Sequence, residues 1–222
     1  MKISELHVWQ DDIHKLKEIQ KQLALKVFRG GEVISPKHIA GVDIAIVHES
    51  KIANAAVVVV SYPGLQPVEI ETIQGELEMP YIPGFLSFRE SPLILTVCSK
   101  LKTTPDLMIV DGQGIAHPRK MGIASHIGLI LDKPTIGCAK SRLYGHCSTP
   151  GEEVGSYTKI VDNNETIGAT LRTKRGVKPL YVSVGHKINL KNAIFWVLQC
   201  CRNYRLPEPT RLAHLAAVGK LV

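Results

Sequence analysis

The sequence predicts an α/β fold with a mixed central sheet, antiparallel strands followed by parallel strands, flanked by helices. Two patterns lead there. Three apolar, strand-like runs between residues 38 and 73 follow one another with only tight turns between them, so they are expected to pair as antiparallel neighbours. From residue 92 to 139, helix-like and strand-like segments alternate, which implies parallel pairing. The scale fits as well. A chain of 222 residues, 45% hydrophobic and 21% charged, can bury a sizeable core as one unit.

From the N-terminus, Asp11 or Asp12 can cap a helix running to about Val27. Ile13, Leu16, Ile19, Leu23 and Val27 recur at helical spacing, and Gly30-Gly31 ends the run. This helix is expected to pack on the domain from outside the main sheet. Residues 38–47 are apolar on both faces except at Asp43, the mark of a strand inside the sheet. Glu49-Ser50 turns the chain into a second strand, residues 52–61. Pro63-Gly64 turns it into a third, residues 68–73, whose Val/Glu/Ile/Glu/Thr/Ile alternation leaves one face wet. Met79-Pro80-Tyr81-Ile82-Pro83-Gly84 is a stiff, proline-bounded loop. Ser91 is a candidate cap for a helix from Pro92 to about Leu101, because proline suits a first turn. Residues 106–110 form a short buried strand, 122–131 a helix, and 134–139 another buried strand.

Residues 148–164 are polar and glycine-bearing, and a hairpin loop is expected there. Two weaker strands follow at 165–171 and 180–184, then closing helices at 190–201 and 208–218. One domain is expected over residues 1–222, with 1–30 as a helical extension and 186–222 as the C-terminal helices. Three antiparallel strands ahead of an alternating parallel part is the order of ribonuclease-H-like folds.

Composition narrows the function. Lys and Arg number 27 against 20 Asp and Glu, leaving +7, which suits a polyanionic partner such as nucleic acid. A basic housekeeping protein would show the same excess. The five cysteines are odd in number and include no Cys-x-x-Cys pair, which argues against a disulfide framework or zinc knuckle. Reduced, mostly buried thiols fit a cytoplasmic protein. No apolar run approaches the roughly 20 residues that span a membrane, and the N-terminus carries Glu5, Asp11 and Asp12 in place of a signal peptide's apolar stretch.

Three carboxylates stand out. Asp43 lies among Ile, Ala, Gly and Val in a central strand. Glu90 lies at the entry to a helix. Asp111 ends a parallel strand and opens the glycine-rich loop Asp111-Gly-Gln-Gly-Ile-Ala-His117-Pro-Arg-Lys. Ligands of open parallel sheets gather outside the carboxyl ends of the strands. If Asp43 and Asp111 sit on adjacent strands and the helix after Glu90 packs beside them, the three carboxylates converge. Converging carboxylates cannot all stay ionised without a cation. A hard divalent ion, Mg²⁺ or Mn²⁺, is the natural partner of such oxygens, and it polarises phosphate and activates water. Three independent structural acids are the alternative, with Asp43 bonded in the sheet, Glu90 favouring the helix dipole and Asp111 closing an Asx-turn.

The chain resembles the endonuclease V, or deoxyinosine 3′-endonuclease, family. The residues that carry the resemblance are Ala40-Gly-Val-Asp43, Pro80-Tyr-Ile-Pro-Gly-Phe-Leu-Ser-Phe-Arg-Glu90, Asp111-Gly-Gln-Gly-Ile-Ala-His-Pro-Arg119, Gly122-Ile-Ala-Ser-His126 and Pro134-Thr-Ile-Gly-Cys-Ala-Lys-Ser-Arg-Leu143, in family order. The resemblance implies a ribonuclease-H-like fold and divalent-metal-dependent hydrolysis. It implies recognition of hypoxanthine, deaminated adenine, in DNA, and a nick at the second phosphodiester bond on the 3′ side of the lesion. Asp43, Glu90 and Asp111 match the metal-binding carboxylates, with His214 near an additional histidine ligand. Lys140 matches the lysine beside the scissile phosphate, where an ammonium stabilises developing charge.

The same resemblance makes Pro80, Tyr81, Ile82 and Pro83 a loop that separates the strands at the lesion, an aromatic wedge in a base stack. Gly84, Leu86, Gly112, Gly114, Gly122, Ile123 and Leu143 match a pocket for the flipped base, which needs close backbone approach. His117 can orient water, contact phosphate or anchor its own loop. Arg89, Arg119, Lys120 and Arg142 can bind backbone phosphates or form a solvated basic face. In this scheme one loop couples lesion to cleavage. Asp111 holds metal, Gly112 and Gly114 meet the base, and His117-Pro-Arg lies towards phosphate. A monomer acting on deoxyinosine-containing DNA is expected. A ribonuclease for inosine in RNA and a non-catalytic nucleic-acid binding module are the alternatives.

Overall fold

The computed structural model describes residues 1–47 and 51–221, so the turn expected at Glu49-Ser50 lies outside the described residues. Thirteen elements follow in chain order: α1 (Ile13–Ala24), β1 (His38–Ile46), β2 (Ile52–Ser61), β3 (Pro67–Glu76), α2 (Leu86–Ser99), β4 (Leu107–Val110), α3 (Ile123–Leu131), β5 (Thr135–Ala139), β6 (Tyr157–Asp162), β7 (Glu165–Leu171), β8 (Leu180–His186), α4 (Leu190–Gln199) and α5 (Glu208–Ala217). The eight strands form one sheet in the order β3-β2-β1-β4-β5-β8-β7-β6. β1 pairs antiparallel with β2, and β2 with β3. β1, β4 and β5 are parallel. β8, β7 and β6 return to antiparallel pairing. This is the mixed, ribonuclease-H-like α/β arrangement that the order of elements predicted.

The central strands are apolar on both faces because helices cover both. In β1, Ile39 faces a core shared with α4 and α5, which supply Trp196, Val197, Leu212 and Ala213. Ala40 and Val42 face the opposite core, where α2 and α3 supply Ile94, Val97, Ile123 and Ile127. Strand periodicity of two therefore turns Asp43 towards the α5 layer. α5 can lie close against β1 because residue 41 has no side chain. A Cβ there would stand 2.0 Å from the Pro209 carbonyl carbon and oxygen.

Three expectations about elements need correction. α2 begins at Leu86, not at Pro92, and Pro92 lies inside it. Phe85 and Phe88 bury against Leu16 and Met79, and that burial outweighs the hydrogen bond a mid-helix proline forfeits. Ser91 is thus buried on the helix body, without a partner for its hydroxyl among the described residues, and is no cap. α1 ends at Ala24, about a turn before Val27, although Val27 is still buried. Within the expected loop at 148–164, residues 157–162 form the edge strand β6. Asn163 and Asn164, both at positive φ (46 and 66°), make the tight turn into β7. Paired left-handed residues are the signature of a two-residue hairpin, and the Asn-Asn dipeptide carried that signal.

The N-terminal segment packs along α2 and α3. Ser4 N–H donates to the Ile130 carbonyl at 3.0 Å. His7 Nε2 lies 2.8 Å from Nε2 of the buried His126, whose Nδ1 is 3.2 Å from Ser87 Oγ. Trp9 and Phe88 pack their rings around this pair.

Two outcomes follow from this packing. Gly41→Ala should destabilise the fold by about 3 kcal/mol, the upper range for overpacking against a backbone that has nowhere to move, read as a fall in urea midpoint. An unchanged midpoint would refute the close approach of α5. Burial, with His7 adding to it, lowers the His126 pKa from 6.5 to about 3. Between those values the unfolded chain binds a proton that the folded one refuses. The stability is complete above pH 6.5 and is lost as pH falls, by up to about 1.4 kcal/mol per pH unit. His126→Gln should flatten the slope of stability against pH by about one proton between pH 6.5 and 5, and a slope equal to wild type would contradict it.

Candidate active site

The parallel register of β1 and β4 builds the centre of the site. Val42 stands opposite Val110, and Asp111 N–H donates to the Val42 carbonyl at 3.0 Å. The next residues on the two strands, Asp43 and Asp111, are therefore neighbours, at a strand spacing of about 4.8 Å. Glu90 arrives from α2 in the layer on the other side of the sheet and is buried, like Asp43. Burial pushes the Asp43 carboxyl up to about 6. Asp111 contributes to that rise, and Lys140, His214 and the Ile44 amide oppose it. Burial pushes Glu90 up to about 8, opposed by Arg89 and reinforced by Asp43 and Asp111. The three acids feel one another's charge, as groups meeting at one sheet edge must.

Two further side chains complete this edge. Lys140 follows β5 and pairs through Nζ with Asp111 Oδ2. Its own burial lowers its pKa, but Asp111 and Asp43 more than reverse that and hold the ammonium charged. His214 on α5 places Nδ1 2.8 Å from Asp43 Oδ2. The approach of α5 at Gly41 makes that contact possible. Among the described residues no three His, Cys, Asp or Glu side chains stand together as a ready-made metal ligand set. The acids fall into two satisfied pairs, Asp43 with His214 and Asp111 with Lys140, and the nearest cation to Glu90 is Arg89 Nη1 at 4.0 Å. The donor set is nevertheless of the kind a hard divalent ion takes. It is rich in carboxylate oxygen, and the raised proton affinity of Asp43 and Glu90 comes first from burial and then from the charge of the neighbouring carboxylates, which a dication would offset.

Beside this edge lies a cavity. Tyr81, Gly84, Leu86, Gly122, Ile123 and Leu143 line it, together with Ser87, Gln113, His117 and Met121. Gly112 and Gly114 do not line it. A Cβ on Gly114 would stand 2.0 Å from the Val184 carbonyl oxygen, so this glycine lets the loop after β4 lie against the end of β8. The loop is pinned there by Gly114 N–H donating to Ser183 Oγ and Ile115 N–H to the Val184 carbonyl, both at 2.8 Å. Gly112 packs against Ile123. The space left by the missing side chains of these two glycines is thus filled by the fold, and the residue between them, Gln113, lines the cavity.

The loop carrying Tyr81 is held at its base. The Gly84 carbonyl accepts from Gln20 Nε2 at 2.9 Å, His117 Nε2 at 3.1 Å and Arg119 Nη2 at 2.8 Å. Arg119 N–H donates to His117 Nδ1, so the His117 proton sits on Nε2. Burial, with Arg119 nearby, lowers the His117 pKa to about 4 and keeps the ring neutral. His117 takes the loop-anchor place among the roles open to it, and Arg119, expected towards phosphate, joins it on the same carbonyl. The Arg119 guanidinium also bonds Gln20 Oε1 and lies 4.5 Å over the Phe85 ring. Lys120 pairs with Asp162 and Glu165. Ile82 packs inward against the Leu16, Met79, Phe85 and Phe88 cluster, whereas Tyr81 stays 61% exposed, flanked by the exposed prolines Pro80 and Pro83.

Several contributors escaped the sequence. Gln20 is a polar residue on the apolar stripe of α1, and that mismatch was a usable signal. Arg205, between α4 and α5, donates through Nη2 to the carbonyls of Lys140 at 2.7 Å and Pro179 at 2.8 Å, and so fastens the backbone that carries the lysine. Nothing in its local sequence announced that role.

Known proteins share this fold and sequence. The Endonuclease V family model matches residues 18–215. An endonuclease V from Dehalococcoides mccartyi is 50% identical over 98% of this chain and 97% of its own length. One from Nostoc punctiforme is 46% identical over 99% of this chain and 100% of its own. The endonuclease V structure from Bacillus subtilis superposes with a TM-score of 0.94 at 33% identity, covering 99% of this chain and 96% of that one. The Ciona intestinalis endonuclease V, crystallised with a 24mer DNA containing an inosine followed by a ribo-adenosine, gives 0.81 at 27% identity, over 94% of this chain and 97% of its own. An acid-lined sheet edge beside a cavity, on a fold and sequence shared along the whole chain, places this protein: it belongs to the endonuclease V family of DNA-repair nucleases.

Proposed function

We propose that this chain recognises deoxyinosine in DNA and hydrolyses the second phosphodiester bond on the 3′ side of the lesion, acting as a cytoplasmic monomer. The observation that supports this most is the continuity of one loop. It begins at Asp111 in the acid cluster and reaches the cavity two residues later at Gln113. The relative from Ciona intestinalis, crystallised with inosine-containing DNA, supports the choice of lesion.

In this proposal Asp43, Glu90, Asp111 and His214 hold Mg²⁺, with Mn²⁺ as a substitute. When bound, the ion supplies a Lewis acid that polarises a phosphate oxygen and makes water a better nucleophile. Lys140 stands beside the same carboxylates, where its ammonium neutralises charge gathering on a phosphate oxygen. Tyr81 is exposed on a loop whose base the Gly84 carbonyl fixes, so it can enter a base stack without the loop giving way. The unstacked base then enters the cavity behind it. Gly84, Leu86, Gly122, Ile123 and Leu143 offer it backbone and apolar surface.

RNA is the second substrate to weigh, because the DNA bound to the Ciona protein carries a ribo-adenosine after the inosine. A ribose at the cleaved junction is compatible with the same carboxylates.

A deoxyinosine duplex should be nicked with Mg²⁺ present and left whole with EDTA. Asp43→Ala and Asp111→Ala should each lose essentially all nicking, and Lys140→Ala should lose about 10²–10³-fold in kcat, the size of one lost charge-stabilising donor. Undiminished nicking by either aspartate variant would refute the assigned chemistry. Matched DNA and RNA strands cut side by side should show the faster rate on DNA; faster cutting of RNA would transfer the assignment to an inosine ribonuclease.

A further inference from the structure

We infer that the Gln113 carboxamide oxygen is the acceptor for the N1–H edge of the base held in the cavity beside Tyr81, and so distinguishes hypoxanthine from adenine. This rests on the deoxyinosine assignment above and names the group that would enforce it.

Gln113 lines the cavity and is 7% exposed. Its Nε2–H donates to the Ser141 carbonyl at 2.9 Å. That bond sets which way the amide faces, because the reverse orientation would put two oxygens against each other. The Oε1 atom is therefore left over. It is sealed from water and has no hydrogen-bond partner among the described residues. Among the residues that line this cavity it is the one buried side-chain polar atom in that condition. The neighbouring polar groups are already matched, His117 Nε2 with the Gly84 carbonyl and Ser87 Oγ with His126 Nδ1. An acceptor buried without a donor costs about 1–3 kcal/mol, and folded proteins retain such atoms for a reason.

A ligand that brings a donor supplies the reason. Hypoxanthine joined to its sugar carries a single ring N–H, at N1. Adenine presents a lone pair at N1 and would oppose the same oxygen. One unpaired acceptor thus distinguishes the deaminated base from its parent at the atom where deamination adds a proton. A polar site left unpaired by the wrong base discriminates far better than a matching shape does. The bond of Gln113 to Ser141 also ties the base to the residue directly after Lys140.

The test uses the full chain with Mg²⁺ and two duplexes, one with deoxyinosine and one with 1-methyl-deoxyinosine, in which a methyl group replaces the N1 hydrogen. Wild type should prefer deoxyinosine by about tenfold or more in kcat/KM, the effect of one buried hydrogen bond left unmade. Gln113→Met, similar in size and without an acceptor oxygen, should lose about tenfold or more on deoxyinosine and little further on the methylated base. Gln113→Glu, which keeps an oxygen there, should retain more activity on deoxyinosine than Gln113→Met. A Gln113→Met enzyme that folds and matches wild type on deoxyinosine within about twofold overturns the inference and leaves the proposed function standing. So does a wild type indifferent to the methyl group, a comparison that holds even if the variants fail to fold. Wild type that nicks neither duplex overturns the deoxyinosine assignment and this inference together.

Discussion

Two aspartates at the ends of neighbouring parallel strands repel each other, and much of the chain is arranged to hold them in place. The register of β1 against β4 makes Asp43 and Asp111 neighbours, and burial raises the energy of the Asp43 charge. Their partners arrive by long routes. Lys140 comes from the end of β5, with Arg205 clasping its carbonyl from the α4–α5 connection. His214 comes from the last helix and reaches Asp43 because Gly41 admits α5 to the sheet. Glu90 enters from the opposite layer on a helix that begins early enough to bury it. Carboxylates gathered against their own repulsion are poised for a cation, which is the chemistry a nuclease needs.

The second constraint is rigidity next to exposure. Tyr81 is presented to solvent, while the residues at the base of its loop converge on one carbonyl, that of Gly84. α1 contributes Gln20 to that convergence, so the N-terminal helix supports the site from outside the sheet. The loop after β4 is equally fixed, with Gly114 against β8 and Gln113 bonded to Ser141. A site that must force a base out of its stack gains from mounting both loops on hydrogen bonds that survive the load.

Within these frames the two functional halves meet at one tripeptide. Asp111 belongs to the acids, Gln113 to the cavity, and Gly112 lies between them against Ile123. The glycines permit close approach within the fold, and Gln113 between them carries a polar group at the cavity.

By itself the sequence determined the mixed sheet, because strand and helix periodicities differ and tight turns force antiparallel neighbours. It also singled out Asp43, since an acid in an apolar strand has few innocent explanations, and its motifs carried the family. It could not decide how α2 begins, because the burial of Phe85 and Phe88 against Leu16 overrides the local preference of Ser91-Pro92. It missed β6, whose polar edge lacks the apolar alternation of an inner strand. It left His117 open between water, phosphate and loop anchor, and Arg119 open between phosphate and a solvated face, whereas tertiary structure gives both a carbonyl 33 and 35 residues away. Local pattern encodes which segments are strands or helices. Only the folded chain decides which polar atoms are matched, because hydrogen-bond partners distant in sequence are chosen by packing, and the unmatched acceptor at Gln113 became visible only there.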